Sequence, residues 1–489
     1  MSRCLRLLSF DVQAPVFRLS SPNGIQHGSA NKGGEVGALT ESLVSFVADA
    51  DVHTLPDGAE DVVRTGFCDT VGVMIAGLSE PVFSTLSAAV AARGGNPEAR
   101  VALGGRRAGA PDAALVGAAT AHALDYDDYA YSNHVSAVLV PAILAEGEHV
   151  GATGAGMVRA YVVGYEVWRE IMKREPGHLY DRGWHPTAVF GAFGAAAAAA
   201  SLHGLDGDTV RNAIGLCVAH GGGVMANFGT MAKPYQGGRA AQAGLSAVRL
   251  AMAGVEAGPH ALDGEDGYLL GLSPERDADV TRPADRLGRD WGIVAERLNV
   301  KRYPIVGAAQ RGADCAIQLH DTEIDIGEIE RIRYCLSERH ARVMPFRKPQ
   351  TGLEAKFSAE FTAAAGLIAG ALGFDPLEDS FVQRPDVQAL MARVEPVIGP
   401  DDDPVYASGA RADIVHLDLK DGSTVSSREV TRWRGHAENP MTTDELKAKF
   451  MDCASRHLVP AAAEDLFGML HNIADLPSCD ALPVVTPRG

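Results

Sequence analysis

"HPTAVFGAFGAAAAAASLHG", residues 185–204, decides how the fold is read. Pro186 suits a first helical position, where its missing N–H had no partner, and Gly204 is placed to stop the helix. The side chains between them, Ala195 to Ala200 above all, let neighbouring helix backbones approach closely. The stretch therefore predicts a helix packed tightly among others. Two further segments share this texture. "EDVVRTGFCDTVGVMIAG" (60–77) sets Val62, Val63, Phe67, Val71 and Met74 on one stripe at helical spacing. "APDAALVGAATAHALDYDD" (110–128) opens on Pro111 and Asp112, good first-turn residues, and continues in small side chains. Residues from Ala38 to about Glu296 read as one mostly helical body.

After Tyr303 the period changes. "IERIRYCLS" (329–337) alternates Ile332, Tyr334 and Leu336 with Arg331, Arg333 and Cys335, a strand pattern. "ADIVHLDLKDGSTVSSREV" (412–430) predicts a hairpin turning at Asp421-Gly422, with Ile414 to Leu419 pairing with Thr424 to Val430. Helical segments are expected near Ala359 to Leu372 and Asp386 to Arg393. The tail returns to helix, with a capping pair in Thr442 and Glu445. The expected fold is mainly α: a large all-helical domain (39–300), a smaller α+β lid domain (301–431) and a C-terminal helical segment (432–489) packing back on the first. Residues 1–38 carry Arg3, Arg6 and Arg18 with Asp11 as the one acid before Glu35. They read as a disordered extension, a start placed too far upstream, or an organelle transit peptide. The location is taken as cytoplasmic, or mitochondrial if a transit peptide is genuine.

The 489 residues carry 62 acidic against 44 basic side chains, a net charge of −18, which opposes nucleic acid or an anionic membrane as partner. An anionic substrate would need a local cluster of cations. Seven dispersed cysteines without a Cys-x-x-Cys pair argue for a reducing compartment and against a zinc ribbon or iron–sulfur cluster. No apolar run approaches the ~20 residues of a membrane span.

Four stretches place titratable groups beside glycine and small apolar residues. "HALDYDDYAYSNH" (122–134) offers Asp125, Tyr129 and His134, with Asp125 and Tyr129 on one face if the helix persists. Asp127 and Asp128 are expected to hold the loop or bond its backbone. "GWHPTAVFG" puts His185 at a helix start, where an anion is favoured. "NFGTMAKPYQGGRAAQAG" (227–244) supplies Lys233 and Arg239 as cations. Lys233 precedes Pro234 and so reads as extended, and Gly237-Gly238 could admit backbone to a ligand. "VKRYPIVGAAQRGAD" brings Lys301, Arg302 and Gln310 to the apparent domain junction, as cleft or hinge. Each has a plainer reading as a solvated loop or cap. Walker, Gly-x-Ser-x-Gly and His-Glu-x-x-His motifs are missing, and no His/Asp pair has persuasive metal-ligand spacing.

Taken in order, "HALDYDDYAYSNHVSAVLVPAILAEGE", "GWHPTAVFGAFGAAAAAASLHGL", "FGTMAKPYQGGRAAQAGL", "VKRYPI", "TGLEAKFSAEF" and "GHAENPMTTDELKAKF" resemble the MmgE/PrpD family, whose activities include 2-methylcitrate dehydration, cis-aconitate decarboxylation and iminodisuccinate epimerisation. The resemblance implies a homodimer of helical domain plus lid. It implies a cofactor-independent site with no metal, in which Asp125, His134, His185 and Lys233 are catalytic. Tyr129, Gln236, Arg239, Lys301 and Gln310 are taken as substrate-binding. Relatives carry His at the positions of Gln236 and Gln310, and a Tyr where this chain has Phe361. The expected function is a lyase forming a carbanion α to a carboxylate of a small di- or tricarboxylate, with a hydro-lyase first and a decarboxylase or epimerase as alternatives. An inactive carboxylate-binding homologue is the alternative from another class.

Overall fold

The computed structural model describes residues 37–175, 179–322, 324–400, 402–403 and 410–486, so nearly all of the expected 1–38 extension lies outside the described residues. In chain order the helical part runs α1 (Ala38–Asp49), α2 (Ala59–Ala76), α3 (Pro81–Arg93), α4 (Ala110–Ala121), α5 (Val135–Val150), α6 (Gly154–Met172), α7 (Pro186–His203), α8 (Gly207–Cys217) and α9 (Ala232–Met252). The opening stretch is α7, with Pro186 at its start and Gly204 in the left-handed region at its end. Every residue from Pro186 to Ser201 is buried. Small side chains make this possible by letting helices touch through backbone.

A Cβ on Gly244 of α9 would lie 2.5 Å from the carbonyl oxygen of Ala192 and 2.6 Å from the Cβ of Ala195. One on Gly164 of α6 would lie 2.7 Å from the carbonyl of Gly194. Of the paired glycines, Gly238 serves the same end, facing the Leu115 carbonyl of α4 rather than a ligand, while a Cβ on Gly237 would make only ordinary contact with His122 at 3.6 Å. Helix α2 and the turn after it, Ala59–Ser79, have the length and hydropathy of a membrane span, yet 83% of that apolar window is buried in protein.

The helical part and the C-terminal helices Thr443–Ala454 and Pro460–His471 share one apolar core, from Leu39 through Val300 and again from Leu446 to Val485. The capping box of Thr442 and Glu445 forms as expected. A second core runs from Tyr303 to Val430 around a four-stranded sheet. Its strands lie in the order Val394–Ile398, Ile329–Leu336, Ile414–Leu419 and Thr424–Ser426, with the first pair parallel and the rest antiparallel. The expected hairpin forms, but ladder pairing on its second strand ends at Ser426, before an isolated bridge from Val430 to Asp413. The fold is thus mainly α with a smaller α+β part.

Gly244→Ala should lower stability by about 1–3 kcal/mol, because neither the Ala192 carbonyl nor Ala195 can yield without moving α7. The midpoint of urea unfolding measures it, and an unchanged midpoint would show that α7 and α9 are less closely packed.

Candidate active site

Helix α4 ends at Ala121, four residues before Asp125, so the helical face expected to join Asp125 with Tyr129 does not exist. Instead the chain enters a turn with Asp125 in the left-handed region (φ 51°). Tyr129 then pairs its backbone with Asn299, donating to the Asn299 carbonyl at 3.0 Å and accepting at 2.8 Å. A non-glycine residue held there costs about 1–3 kcal/mol, which the surroundings must supply.

Those surroundings are cationic. Asp125 Oδ1 accepts from Lys233 Nζ at 2.5 Å and lies 3.0 Å from Lys301 Nζ. Both lysines are almost wholly buried. Burial opposes ionisation of Asp125, but the two ammoniums outweigh it and hold the carboxyl far below its usual range. Burial also draws Lys233 below the ordinary lysine value, against the pull of Asp125.

Lys233 is helical, the second residue of α9, and not extended as its position before Pro234 suggests. A proline in the first turn loses no hydrogen bond, so the helix begins before it. The placement sets which α9 side chains face inward. Gln236, three residues on, does so. Arg239, six residues on, lies about 240° around the helix. Its guanidinium bonds Gln242 (2.5 Å) and His220 (3.2 Å), so it is not brought to the site.

Asp127 belongs to the site rather than to the loop alone. It accepts from His134 Nδ1 at 2.7 Å and His122 Nδ1 at 3.0 Å. Burial would raise its pKa, but the two imidazoles that donate to it hold it well below the carboxylate range. Both rings therefore carry their proton on Nδ1, leaving Nε2 as a lone pair. His134, the residue capping α5, is pushed by burial down to about 3, against the opposing pull of Asp127. Its Nε2 is 3.8 Å from Asp125 Oδ1. Asp128 does hold the loop, accepting from Ser136 Oγ at 2.7 Å and donating its amide to Asp69 at 2.9 Å.

His185 caps α7 one layer back, its ring centroid 6.4 Å from that of His134 and 5.8 Å from that of His122. Its Nδ1 meets Gln236 Nε2 at 3.0 Å, and Gln236 Oε1 accepts from Val224 N and Asn227 Nδ2, both at 2.9 Å. Gln236 thus positions an imidazole. Gln310 lies elsewhere. Fully buried, it accepts from the amides of Arg302 and Tyr303 and donates to the carbonyls of Tyr303 and Ile305. Its hydrogen bonds go to the segment after Lys301, so it is a strap and not a substrate contact. Phe361 is likewise core.

A cavity of about 830 Å³ opens over Asp125, Tyr129, His134, Lys233 and Lys301. The α+β part closes it with Arg311, Arg339, His340 and Phe357. Arg311 is anchored on Asp413 at 2.9 Å, and Trp433 stacks on Tyr129 with centroids 6.3 Å apart. Tyr180, whose phenol burial pushes upward, completes one wall. His122, Tyr180, Arg311 and Arg339 escaped the sequence reading. The first and third stand inside quoted stretches, adjacent to a chosen motif but with no period to mark them.

His122, Asp125, Asp127 and His134 bring ligand atoms within 4.8 Å of one another. The cluster fits a divalent cation poorly, because the ion would sit beside two ammoniums and compete with them for Asp125.

This geometry sets two buried ammoniums at the floor of a cleft between a helical body and an α+β cover. Residues 41–281 match the MmgE/PrpD N-terminal domain and residues 303–472 the MmgE/PrpD C-terminal domain, and the chain belongs to that family. It is 27% identical to the cis-aconitate decarboxylases of Mus musculus and Homo sapiens, over 91% of this chain and 92% and 94% of theirs. A cis-aconitate decarboxylase of Aspergillus terreus is 26% identical over 72% of this chain and 76% of its own.

Burial, then the charge of Lys233, keeps the His185 imidazole well below the usual histidine range, so it stays neutral in the folded chain. Below pH 6.5 the unfolded state takes up a proton that the folded state refuses, so stability falls as pH drops. The His185→Gln variant should lose about one proton's share of that slope, ~1.4 kcal/mol per pH unit. Urea unfolding between pH 5 and 8 reads it; an unaltered slope would mean that folded His185 protonates normally.

Proposed function

We propose that this chain, a lyase of the MmgE/PrpD family, decarboxylates a small tricarboxylate of the cis-aconitate kind. The observation that carries the reading is the pair of buried lysines on Asp125, at the floor of a cavity whose cover adds guanidinium groups. Losing CO₂ from an allylic acid breaks one C–C bond and leaves its electron pair delocalised towards a remaining carboxylate. Fixed cations lower the energy of that dienolate, and preorganised ones need no rearrangement as the charge develops. In this reading Arg339 of the cover meets a substrate carboxylate, and Arg311, itself paired with Asp413, adds its charge to that wall. Apolar Phe228 and Phe357, 5.2 and 5.8 Å from Lys233 Nζ, keep water from the floor. Lys233, drawn below the usual lysine range by burial, is the acid that returns a proton to carbon.

One observation favours the hydro-lyase as a second reading. His134 Nε2 is an unprotonated lone pair aimed beside Asp125, which suits removal of a proton α to a carboxylate. Decarboxylation needs an acid at that step and dehydration a base; both are at hand, and the likeness to cis-aconitate decarboxylases puts decarboxylation first, reversing the order of preference drawn from sequence alone. A homodimer is part of the proposal, with the exposed apolar side chains Met231, Tyr235 and Met252 as a contact face.

Incubation with cis-aconitate in D₂O should release CO₂ and give methylenesuccinate labelled at the reprotonated carbon, followed by NMR. Lys233→Ala should slow it by ~10²- to 10⁴-fold with the fold intact, and His134→Ala should do the same to any water loss from 2-methylcitrate. Water loss from 2-methylcitrate without CO₂ release would carry the second reading. Tight binding of both without turnover would reject a lyase acting on either.

A further inference from the structure

Three consecutive carbonyls of the active-site turn are each met by a different lysine. Leu124 O accepts from Lys356 Nζ at 2.8 Å, Asp125 O from Lys301 Nζ at 2.6 Å, and Tyr126 O from Lys449 Nζ at 2.8 Å. The three come from distant parts of the chain. Lys301 lies between the two cores, Lys356 follows the short helix Gly352–Ala355 of the α+β part, and Lys449 belongs to Thr443–Ala454. All are buried, at 1%, 6% and 7% exposure.

Burying an ammonium is expensive unless it is paired, so each should have a reason to be there. Lys301 pairs with the Asp125 carboxylate, and Lys449 with Asp69 at 2.6 Å while lying 3.9 Å from the centroid of the Tyr126 ring. Lys356 has no carboxylate partner within ion-pair distance among the described residues, and its hydrogen bond goes to a peptide carbonyl alone. Neither Lys356 nor Lys449 lines the cavity. What they share is the turn that follows α4, whose C-terminal end favours cations and whose middle residue is held at φ 51°.

We propose that Lys356 and Lys449 are positioning residues. With Lys301 they grip Leu124, Asp125 and Tyr126 and keep Asp125 in the left-handed geometry that delivers its carboxylate to Lys233. The turn cannot relax towards an ordinary backbone conformation without releasing at least one buried ammonium. Because Lys356 belongs to the α+β part, the cover of the cavity takes part in shaping its floor. Burial pulls Lys356 down to about 8, which matches an ammonium held by one neutral acceptor.

The inference rests on the lyase reading for its kinetic test but has a test that does not. Hydrogen exchange followed by mass spectrometry should show faster exchange across residues 122–134 in the Lys356→Met variant, with residues 359–369 unchanged. Equal protection of 122–134 overturns the proposal whatever the enzyme turns over. In the kinetic test, Lys356→Met should lower kcat roughly 10- to 100-fold with little change in KM, the cost of a displaced group. Lys356→Arg should restore part of it. In the Asp125→Asn background, Lys356→Met should cost nothing further, because the residue it positions no longer acts. Additive losses would overturn the proposal while leaving the lyase reading intact. If neither Lys356→Met nor Lys356→Gln folds, Lys356 is a requirement of folding rather than of the turn, and the proposal fails.

Discussion

The Asp125 carboxylate, shared by Lys233 at 2.5 Å and Lys301 at 3.0 Å, is the interaction on which the site depends. Removing three charges from water costs several kcal/mol per ion before attraction is counted. Such a cluster persists only where its geometry is excellent and the remaining polar atoms are satisfied. The left-handed turn puts Asp125 in reach of both lysines, and the start of α9 puts Lys233 in reach of Asp125. Ionised Asp127 balances the charge left over by Asp125 and its two ammoniums, but it lies fully buried behind the cavity wall, whereas both lysines line the cavity, so an entering group meets cations. That is what an incoming polyanion needs in a chain whose overall charge is −18.

The rest of the fold can be understood as support for that floor. Small residues along α4, α7 and α9 let the helices approach until backbone meets side chain, which fixes α9 relative to the turn after α4. Asp127 then joins His122 and His134 into a unit in which one buried carboxylate orients two neutral rings. Charge is thus segregated over a few ångströms, with ammoniums on Asp125 and neutral imidazoles on Asp127. Two adjacent acids with different partners give acid and base chemistry separate addresses.

Much of this was legible in the sequence because it depends on local pattern. The small-residue texture of 185–204, the period-two run at 329–337 and the Thr442–Glu445 cap all appear as expected. Asp125, His134, His185, Lys233 and Lys301 do converge, since segments dense in titratable groups amid glycine and alanine have few other uses. What could not be read was direction. Whether α9 begins before or after Pro234 decides which way Lys233 and Arg239 point, and a proline in a first turn looks like one in a loop. Nor does local pattern reveal that Asp127 turns to two imidazoles, that Arg311 reaches the cavity, or that Lys356 and Lys449 meet on one turn. Asp127 lies only five and seven positions from its two imidazoles, so that contact depends on how the turn folds back, whereas the two lysine contacts join segments 232 and 323 residues apart in the chain.

The same distinction bears on the residues that looked like lost proton donors. Gln310 makes four hydrogen bonds to the backbone of 302–305 and none into the cavity, and Phe361 is surrounded by the second apolar core. An imidazole or phenol at either place would need a different local arrangement before it could reach a substrate at Asp125. Gln236 differs, because it contacts His185 and can change that ring's tautomer and basicity without touching substrate. Its amide donates to Nδ1, which leaves the proton of a neutral His185 on Nε2, whereas Asp127 leaves the proton of His134 on Nδ1. The two histidines therefore present opposite faces to a proton: one can donate from Nε2, the other can accept there. Gln236 therefore sets the tautomer of His185, while Gln310 and Phe361 bond neither that ring nor a residue lining the cavity floor.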